Sequence, residues 1–347
     1  MVMKVFDFFS GCGGTSKGFV QAGLESVFAL DFDRDAAASF QSNFSNTHVE
    51  HRDIRKLRTK SISTLIRAQN EAPILFCGCA PCQPFTKQNT TRVEKDERAP
   101  LLNSFARFVK VYRPHYVFIE NVPGIQKVKT KGAFDKFCRD LKNMEYSIAT
   151  NVVAAQDFGV PQKRRRLVLI ASRVGDIDLP NPTHGPETKR GYSTVEDWIR
   201  HFPSIEAGEE HPDILNHRAA KLSPLNLERI KATPVGGSRA DWPSYLELDC
   251  HKNYNGHVDV YGRMRWDAPA TGLTTRCISL SNGRFGHPEQ NRAISVREAA
   301  AIQTFPDDFV FTGSLNSQAR QVGNAVPTKL AEAFGRHILE HWEAHNG

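Results

Sequence analysis

The stretch FDFFSGCGGTSKGF, residues 6–19, joins an apolar strand, a turn rich in glycine and the start of a helix. Gly11, Gly13 and Gly14 allow a tight turn and a close approach of a ligand to the backbone, although a purely structural turn would also explain them. Asp31 ends the next apolar run, at a distance along the chain where an acidic side chain commonly binds ribose hydroxyls. The stretch therefore predicts an α/β fold with a nucleotide-type pocket after its first strand.

The residue at position 16 narrows the kind of cofactor. A dinucleotide-binding turn would carry a further glycine there, and this chain has Ser16. The adjacent glycines and the missing third one favour a nucleoside cofactor without a pyrophosphate. In that interpretation Phe32 packs on an adenine and Asp53 accepts from its amino group. Taken singly, Phe32 would be expected in the core and Asp53 on the surface.

Four further apolar runs follow along the chain: SVFALD (26–31), PILFCG (73–78), HYVFIEN (115–121) and RLVLIAS (166–172). Continuous runs suit strands buried on both faces, and helical segments between them imply right-handed crossovers in a parallel sheet. Periodicity fades over residues 176–286, and SVREAAAIQTF (295–305) and TKLAEAFGRHILEHW (328–342) then predict helices. We expect an α/β domain over 1–175, an irregular insert over 176–286, and a C-terminal segment, 287–347, that returns to the first domain.

The bulk composition is that of a soluble globular protein, with 347 residues of which 40% are hydrophobic and 24% are charged. No run approaches the roughly 18 apolar residues of a membrane span, so no membrane partner is expected. The strand-like KVFDFF at residues 4–9 lacks the pattern of a signal peptide, and seven cysteines form no disulfide-like spacing. We therefore expect a reducing cytoplasm. A net charge of +7 mildly favours a polyanionic partner.

Three cysteines fall within CGCAPCQPF, residues 77–85, directly after a predicted strand. Zinc needs four ligands, and three cysteines at this spacing, with no Cys/His pair following, disfavour a metal site. Cys77 and Cys79 are expected to be small buried hydrophobes. Cys82 stands between Pro81 and Pro84, which restrict the backbone. Such a loop would present the Cys82 thiolate as a nucleophile at the end of a strand.

Two other segments carry polar side chains at strand ends. Glu120 follows an apolar strand, and in QKRRRLVLIAS (162–172) a period of two places Gln162, Arg164 and Arg166 on one side. The basic residues between them suit a solvated face. A surface carboxylate or a charge run is common, so neither segment indicates a function alone.

These segments, in this order, closely resemble the DNA cytosine-5 methyltransferase family. The resemblance covers everything but the insert. The motifs that carry it are DFFSGCGG (7–14), APCQPF (80–85), ENVPG (120–124), QKRRR (162–166), SVREAAAIQTFPDDF (295–309) and QVGNAVP (321–327). It implies a Rossmann-like methyltransferase sheet and a smaller, irregular, β-rich target-recognition domain.

The resemblance also implies that S-adenosylmethionine binds in the glycine pocket. Phe9 and Phe32 would sandwich its adenine, Asp31 would hold the ribose, and Asp53 and Ile54 would meet the adenine edge. The other residues that the resemblance assigns to the cofactor are Ser10, Gly11, Cys12, Gly13, Gly14, Pro81, Leu101, Asn324 and Ala325.

For catalysis, the resemblance makes Cys82 the nucleophile that adds at carbon 6 of cytosine. Glu120 would act at ring nitrogen 3, and Arg164 and Arg166 would position the base. The addition makes carbon 5 reactive toward a methyl group, and a base that the sequence does not identify then removes the carbon 5 proton. Because carbon 5 is buried in duplex DNA, the cytosine must flip out. We expect the enzyme to act as a monomer on double-stranded DNA, alone or in a restriction system.

In this resemblance the insert reads the DNA sequence, and the polar segment TKQNTTRVEKDERAP (86–100) closes on DNA. Arginines among aromatic residues suit contacts with bases and phosphates, and Arg239 and Arg263 are candidates for phosphate contacts. The aromatic and basic residues concerned are Trp242, Tyr245, Tyr254, Tyr261, Arg263, Arg265 and Trp266. Two features depart from the family: Cys79 and Ala80 stand where glycines are frequent, and Gly272 stands where threonine is more usual.

Three alternatives remain open at this stage. One subfamily of the same fold methylates tRNA, although an insert of this size favours DNA. A catalytically silent DNA-binding regulator would share the scaffold, yet Cys82, Glu120 and the arginines are all present. A nicotinamide-dependent oxidoreductase is disfavoured by Ser16 and by the lack of an evident partner for hydride transfer.

Overall fold

The computed structural model describes residues 1–80, 99–123, 132–249 and 259–346. They form two compact units. The first unit comprises residues 1–154, 165–181 and 328–347, and the second comprises residues 155–164 and 182–327. The boundaries expected from sequence were 176 and 287, whereas the structure divides the chain at 182 and 328.

Nine strands occur in the described residues, seven of them in the sheet of the first unit. They are β1 (Lys4–Phe8), β2 (Glu25–Asp31), β3 (His48–His51), β4 (Ile74–Gly78), β5 (Tyr116–Asn121), β6 (Ser147–Ala154), β7 (Gln162–Lys163), β8 (Arg165–Ser172) and β9 (Ala270–Thr271). The large sheet has the order β3-β2-β1-β4-β5-β8-β6. Strands β1 to β5 are parallel, whereas β8 is antiparallel to both β5 and β6. All five expected strands are confirmed, but the parallel direction expected for RLVLIAS was wrong, because this segment pairs with the preceding strand β6.

Ten α-helices accompany these strands in the described part of the chain. They are α1 (Gly14–Gln21), α2 (Arg34–Asn43), α3 (Ser63–Ala68), α4 (Ala99–Tyr112), α5 (Ala133–Asn143), α6 (Glu196–Ile199), α7 (Pro224–Lys231), α8 (Val296–Ile302), α9 (Leu315–Asn324) and α10 (Thr328–Asn346). Helix α2 shows how local sequence sets a start: the Asp33 side chain accepts hydrogen bonds from the first-turn N–H groups of Asp35 and Ala36.

One face of the sheet packs against α4 through phenylalanines. The ring of Phe8 lies 4.8 Å from that of Phe108 and 5.4 Å from that of Phe105, measured between centroids. A Cβ on Gly78 would come within 2.6 Å of the Phe105 ring, so glycine is required there. Replacing Phe8 with alanine should cost about 3–5 kcal/mol, because its ring is fully buried. This packing holds the carboxyl ends of β1 and β4 side by side.

The other face is covered by α1 and the C-terminal helix α10. A Cβ on Gly18 would lie 2.2 Å from the carbonyl oxygen of Thr328, so the two helices touch backbone to backbone. Phe334 of α10 packs on Phe118 of β5 with ring centroids 5.7 Å apart. The C-terminal helix is thus part of the core on which the first turn rests.

The second unit has a core of its own in which Trp242 is central. Its ring packs on Tyr261 at 5.2 Å between centroids, beside Ile230 and Leu246, and its Nε1–H donates to Thr233 Oγ1 at 2.8 Å. The expectation of a β-rich module is corrected here. Among the described residues this unit contains only the two-residue strands β7 and β9, together with isolated bridges.

Arg263 is a structural residue of this unit. Its guanidinium is buried and donates hydrogen bonds to the carbonyl oxygens of Thr233, Ile230 and His287 at 2.7–2.8 Å. The suggestion that Arg263 contacts phosphate was therefore wrong, because its N–H groups are already used by the backbone.

Helix α8 belongs to the second unit, where buried hydrogen bonds and an ion pair hold it in place. Arg292 donates two hydrogen bonds of 2.7 Å to Glu298, and Arg297 donates to the Leu215 carbonyl at 2.9 Å. Burial raises the pKa of Glu298, but the hydrogen bonds and charge of Arg292 outweigh it and lower that pKa to about 2. These contacts explain why the chain rejoins the first unit at residue 328 and not at 287.

Candidate functional site

The glycine turn after β1 has two glycines in left-handed conformations. Gly11 has φ +54° and Gly13 has φ +105°, where side chains are strained. A Cβ on Gly13 would lie 2.6 Å from the ring of Phe44, so this glycine is needed for packing. A Cβ on Gly11 would meet nothing within 4 Å, which leaves open space over the turn. Gly14 then begins α1, whose first turn receives no side-chain cap from Gly13.

Asp31, at the end of β2, shapes this turn. Its Oδ2 accepts from the Gly11 N–H at 2.7 Å and its Oδ1 accepts from the Asp33 N–H at 2.8 Å. Burial raises the pKa of Asp31, and the two N–H groups oppose the rise. Each carboxylate oxygen has two lone pairs, so both oxygens can accept one further hydrogen bond from a ligand.

The four residues assigned to the adenine differ in how exposed they are and in the contacts that they already make. Phe32 is 74% exposed, so the core position expected of it alone was wrong, and its ring is accessible. Phe9 adopts φ +70° and packs partly against the main core. Ile54 is buried in that core, which leaves only its backbone for a ligand. Asp53 is held by Arg55, whose Nη2 lies 2.6 Å from its Oδ2, and that hydrogen bond is the main cause of the lowered pKa of Asp53.

Three buried polar residues lie at or beside the turn. Asp7 is fully buried in β1, with Oδ2 accepting from Ser16 Oγ at 2.7 Å and Oδ1 without a hydrogen-bond partner in the described residues. The Ser10 hydroxyl is likewise buried and unpartnered there. Burial raises the pKa of Asp7 to about 7. Sequence patterns gave no role in the site to Asp7 or Ser16. The available signal was an acidic residue inside an apolar strand, one position before its end and just ahead of a glycine turn.

The cysteine-rich segment begins at the end of β4. Cys77 is buried, as expected, and Cys79 is partly buried, with its Sγ 3.8 Å from Thr15 Oγ1. Burial raises the pKa of both thiols well above the usual value, so neither is a reactive thiolate. Outside the described residues lie Pro81, Cys82 and Tyr254, so the roles expected of them stay predictions. In the residues that are described, no group of three His, Cys, Asp or Glu side chains could hold a metal ion.

Strand β5 brings Glu120 and Asn121 beside the end of β4. The Asn121 Nδ2 donates to the carbonyl oxygen of Ala80 at 3.1 Å and thereby ties the residue before Pro81 to β5. Glu120 is buried, and its Oε1 lies 2.8 Å from Arg166 Nε on the neighbouring strand β8. The two side chains form an ion pair that is largely screened from water. The structure therefore brings together two residues that the resemblance assigns to the cytosine, and their roles there stay predictions.

Arg164 is placed differently from Arg166. It belongs to the second unit, where its buried guanidinium donates to the carbonyl oxygens of Leu273, Gly323 and Ala325 at 3.1–3.2 Å. Its hydrogen bonds connect QKRRR with QVGNAVP inside that unit, which is a structural task the sequence did not suggest. Asn324 ends α9 in the same unit.

Two further assignments concern the turn and α4. Burial raises the pKa of Cys12 to about 12, so it serves the turn as an apolar residue. Leu101 lies in the first turns of α4 and packs partly against the main core.

In the part of the chain that the structure describes, no helix is long and apolar enough to cross a membrane.

Comparison with known proteins agrees with this geometry. The family model for C-5 cytosine-specific DNA methylase matches residues 3–340. The chain is 37% identical over 344 residues to the Type II methylase M.HgiDII of Herpetosiphon aurantiacus, covering 97% of this chain and 95% of the relative. It is 35% identical to the Type II methyltransferase M1.HphI of Haemophilus parahaemolyticus, covering 98% and 87%.

Solved structures show the same fold. The structure of S. pombe Dnmt2 methyltransferase aligns with a TM-score of 0.60 at 18% identity over 99% of both chains. The Entamoeba histolytica methyltransferase EhMeth aligns with a TM-score of 0.66 at 16% identity, again over 99% of both. The family match, the close relatives and the shared fold agree, and the chain belongs to the C-5 cytosine-specific DNA methylase family.

Proposed function

We propose that the protein transfers a methyl group from S-adenosylmethionine to carbon 5 of a cytosine within one short duplex DNA sequence. The observation that carries the proposal is the Glu120–Arg166 ion pair of 2.8 Å, buried at the end of β5. It lies beside β4, the strand that leads into Pro81 and Cys82, and β4 also pairs with β1, the strand before the glycine turn. A carboxyl group and a guanidinium can together recognise the ring nitrogen and carbonyl of a cytosine.

The pocket around the glycine turn suits S-adenosylmethionine. Asp31 can accept from the ribose hydroxyls, and exposed Phe32 can stack on the adenine. The uncapped start of α1 suits the carboxylate of the amino-acid end, and the buried, half-satisfied Asp7 suits its ammonium group. When bound, this cofactor supplies an electrophilic methyl group. Pro81, Asn324 and Ala325 remain assigned to it by family resemblance.

For the chemistry, we propose that the Cys82 thiolate adds to carbon 6 of the cytosine. Glu120 then acts at ring nitrogen 3 and stabilises the electron-rich ring that forms. Arg166 holds the Glu120 side chain and orients the base. We assign Arg164 to holding the QVGNAVP segment, because its Nη1 and Nη2 groups already donate to carbonyl oxygens. Loss of the carbon 5 proton and of the thiolate completes the cycle, and the cytosine must leave the helix to be reached.

We assign DNA reading to the second unit. Val235 and Tyr245 lie on either side of Trp242 in the sequence and are 56% and 75% exposed. The Trp242 side chain is buried, so it anchors the segment that carries these two exposed apolar side chains. Arg284 fixes this segment by donating to the carbonyl oxygens of Gly236 and Gly237 at 2.7 and 2.6 Å. A rigid segment of this kind can enter a DNA groove with little loss of conformational entropy.

The Type II relatives support a role in a restriction–modification system. We further propose, from the sequence, that the protein acts in the cytoplasm and as a monomer on DNA. Methylation of tRNA is the second candidate function that we retain, because one subfamily of the resembled fold acts on tRNA and the fold does not separate the two substrates. The deciding experiment offers purified protein labelled S-adenosylmethionine with duplex DNA or with tRNA. Incorporation into DNA alone supports the proposal, and incorporation into tRNA alone refutes it.

A further inference from the structure

Ser16 stands where a dinucleotide-binding turn would have glycine, and the structure gives it a partner. Its side chain is fully buried in the first turn of α1 and its hydroxyl donates to Asp7 Oδ2 at 2.7 Å. The other oxygen of Asp7 is buried without a hydrogen-bond partner in the described residues. A buried carboxylate with one bare oxygen is costly unless a ligand, a water or a proton satisfies it.

The groups that face Asp7 from neighbouring elements mostly oppose its ionisation. Burial is the largest cause of its raised pKa of about 7, and the charge of Asp31 on β2 adds to it. Cys77 on β4 and Cys79 directly after that strand interact electrostatically with Asp7 and bring no positive charge. The hydroxyl of Ser16, on α1, acts in the opposite direction and favours the carboxylate.

We propose that Ser16 is a positioning residue of the cofactor pocket: its hydroxyl orients Asp7 and keeps it ionised, so that the bare oxygen receives the ammonium group at the amino-acid end of the cofactor. The inference rests on the proposed function, because it needs a cofactor with such an end. It goes beyond that function by making affinity depend on pH near neutrality. Below the pKa of Asp7 the carboxyl is protonated, and its attraction for the ammonium is lost.

Titration calorimetry with S-adenosylhomocysteine between pH 5.5 and 8.5 tests this, because the α-ammonium group of a free amino-acid end stays mostly charged over that range. Wild type should bind more weakly as pH falls. Ser16→Ala removes the hydrogen bond that lowers the pKa of Asp7, so the midpoint should move up by about one pH unit. Affinity at pH 7.5 should fall about threefold, because the ionised fraction of Asp7 falls from about three quarters to about one quarter. Asp7→Asn should bind weakly with no pH dependence, and Ser16→Cys, a weaker donor, should lie between wild type and Ser16→Ala.

A matched control and a truncated ligand sharpen the test. Ser39→Ala removes another buried serine hydroxyl, which donates to the Asp35 carbonyl at 3.0 Å within α2, and should leave affinity unchanged. Methylthioadenosine lacks the amino-acid end, so its affinity should not respond to Ser16→Ala. An unchanged pH midpoint in a folded Ser16→Ala or Ser16→Cys protein would overturn the inference, as would an equal loss for methylthioadenosine. If wild type bound neither ligand, the proposed function itself would fail.

Discussion

Replacing Arg166 with methionine tests the ion pair at the centre of the site. The Glu120 and Arg166 side chains are only 9% and 16% exposed, so the substitution leaves a buried carboxylate without its cation. Breaking a buried pair costs about 3–5 kcal/mol, and the partial exposure of Arg166 places this case near 3 kcal/mol. For a unit of this size the melting temperature should fall by about 5–10 °C.

A double-mutant cycle separates the pair from other effects of the substitution. Glu120→Gln combined with Arg166→Met should be less destabilising than the sum of the single changes by about 2 kcal/mol, because the second change no longer strands a charge. Melting temperatures and urea unfolding of the four proteins give this coupling. Arg165→Met, at an exposed neighbouring position, serves as the matched control and should change stability by less than about 0.5 kcal/mol. A coupling below about 0.5 kcal/mol would refute the pairing.

Four other changes test the chemistry, the reading of DNA and the response to acid. Cys82→Ser should abolish turnover while S-adenosylhomocysteine and DNA still bind, and 5-fluorocytosine DNA should trap wild type through the peptide containing Cys82; trapping at Cys77 or Cys79 would contradict the assignment. Glu120→Gln should slow single-turnover methylation at least about 100-fold, since an amide cannot supply a proton to the ring nitrogen, and a near-normal rate would count against it. Tyr245→Ala should weaken DNA binding in a gel-shift assay, whereas Leu225→Ala, also exposed but on α7, should not, and equal effects would exclude a special role for Tyr245. Burial lowers the pKa of His287 from 6.5 to about 4, so the free energy of unfolding of the second unit should fall by about 3 kcal/mol as pH falls from 6.5 to 4. Urea unfolding at several pH values measures this fall, and His287→Asn should make it smaller.

The central sheet could be predicted because its inner strands are buried on both faces. Their apolar runs are continuous, which is the pattern of strands with both faces covered. Strand β6 was missed because it lies at the sheet edge, and its residues are partly or fully exposed. The direction of β8 was missed for a related reason, since an apolar run does not record whether its partner lies before or after it in the chain.

The site was predictable as a set of motifs but not as a set of contacts. Sequence placed Glu120 with the arginines, yet it could not separate Arg166, which meets Glu120, from Arg164, which bonds to backbone carbonyls. It also could not show that the Arg263 guanidinium is buried and bonded to backbone carbonyl oxygens, because composition does not distinguish a buried guanidinium from an exposed one. The Asp7–Ser16 bond joins two elements across the glycine turn and has no local pattern of its own.

The most direct test of the account is methylation mapping of a host genome. Bisulfite sequencing should be performed on DNA from a methylation-deficient bacterium that expresses wild type or Cys82→Ser. The account predicts 5-methylcytosine at one short recurring sequence with wild type and at none with Cys82→Ser. A wild-type protein that is folded and binds S-adenosylhomocysteine but leaves the DNA unmethylated would contradict it, as would an undiminished pattern with Cys82→Ser.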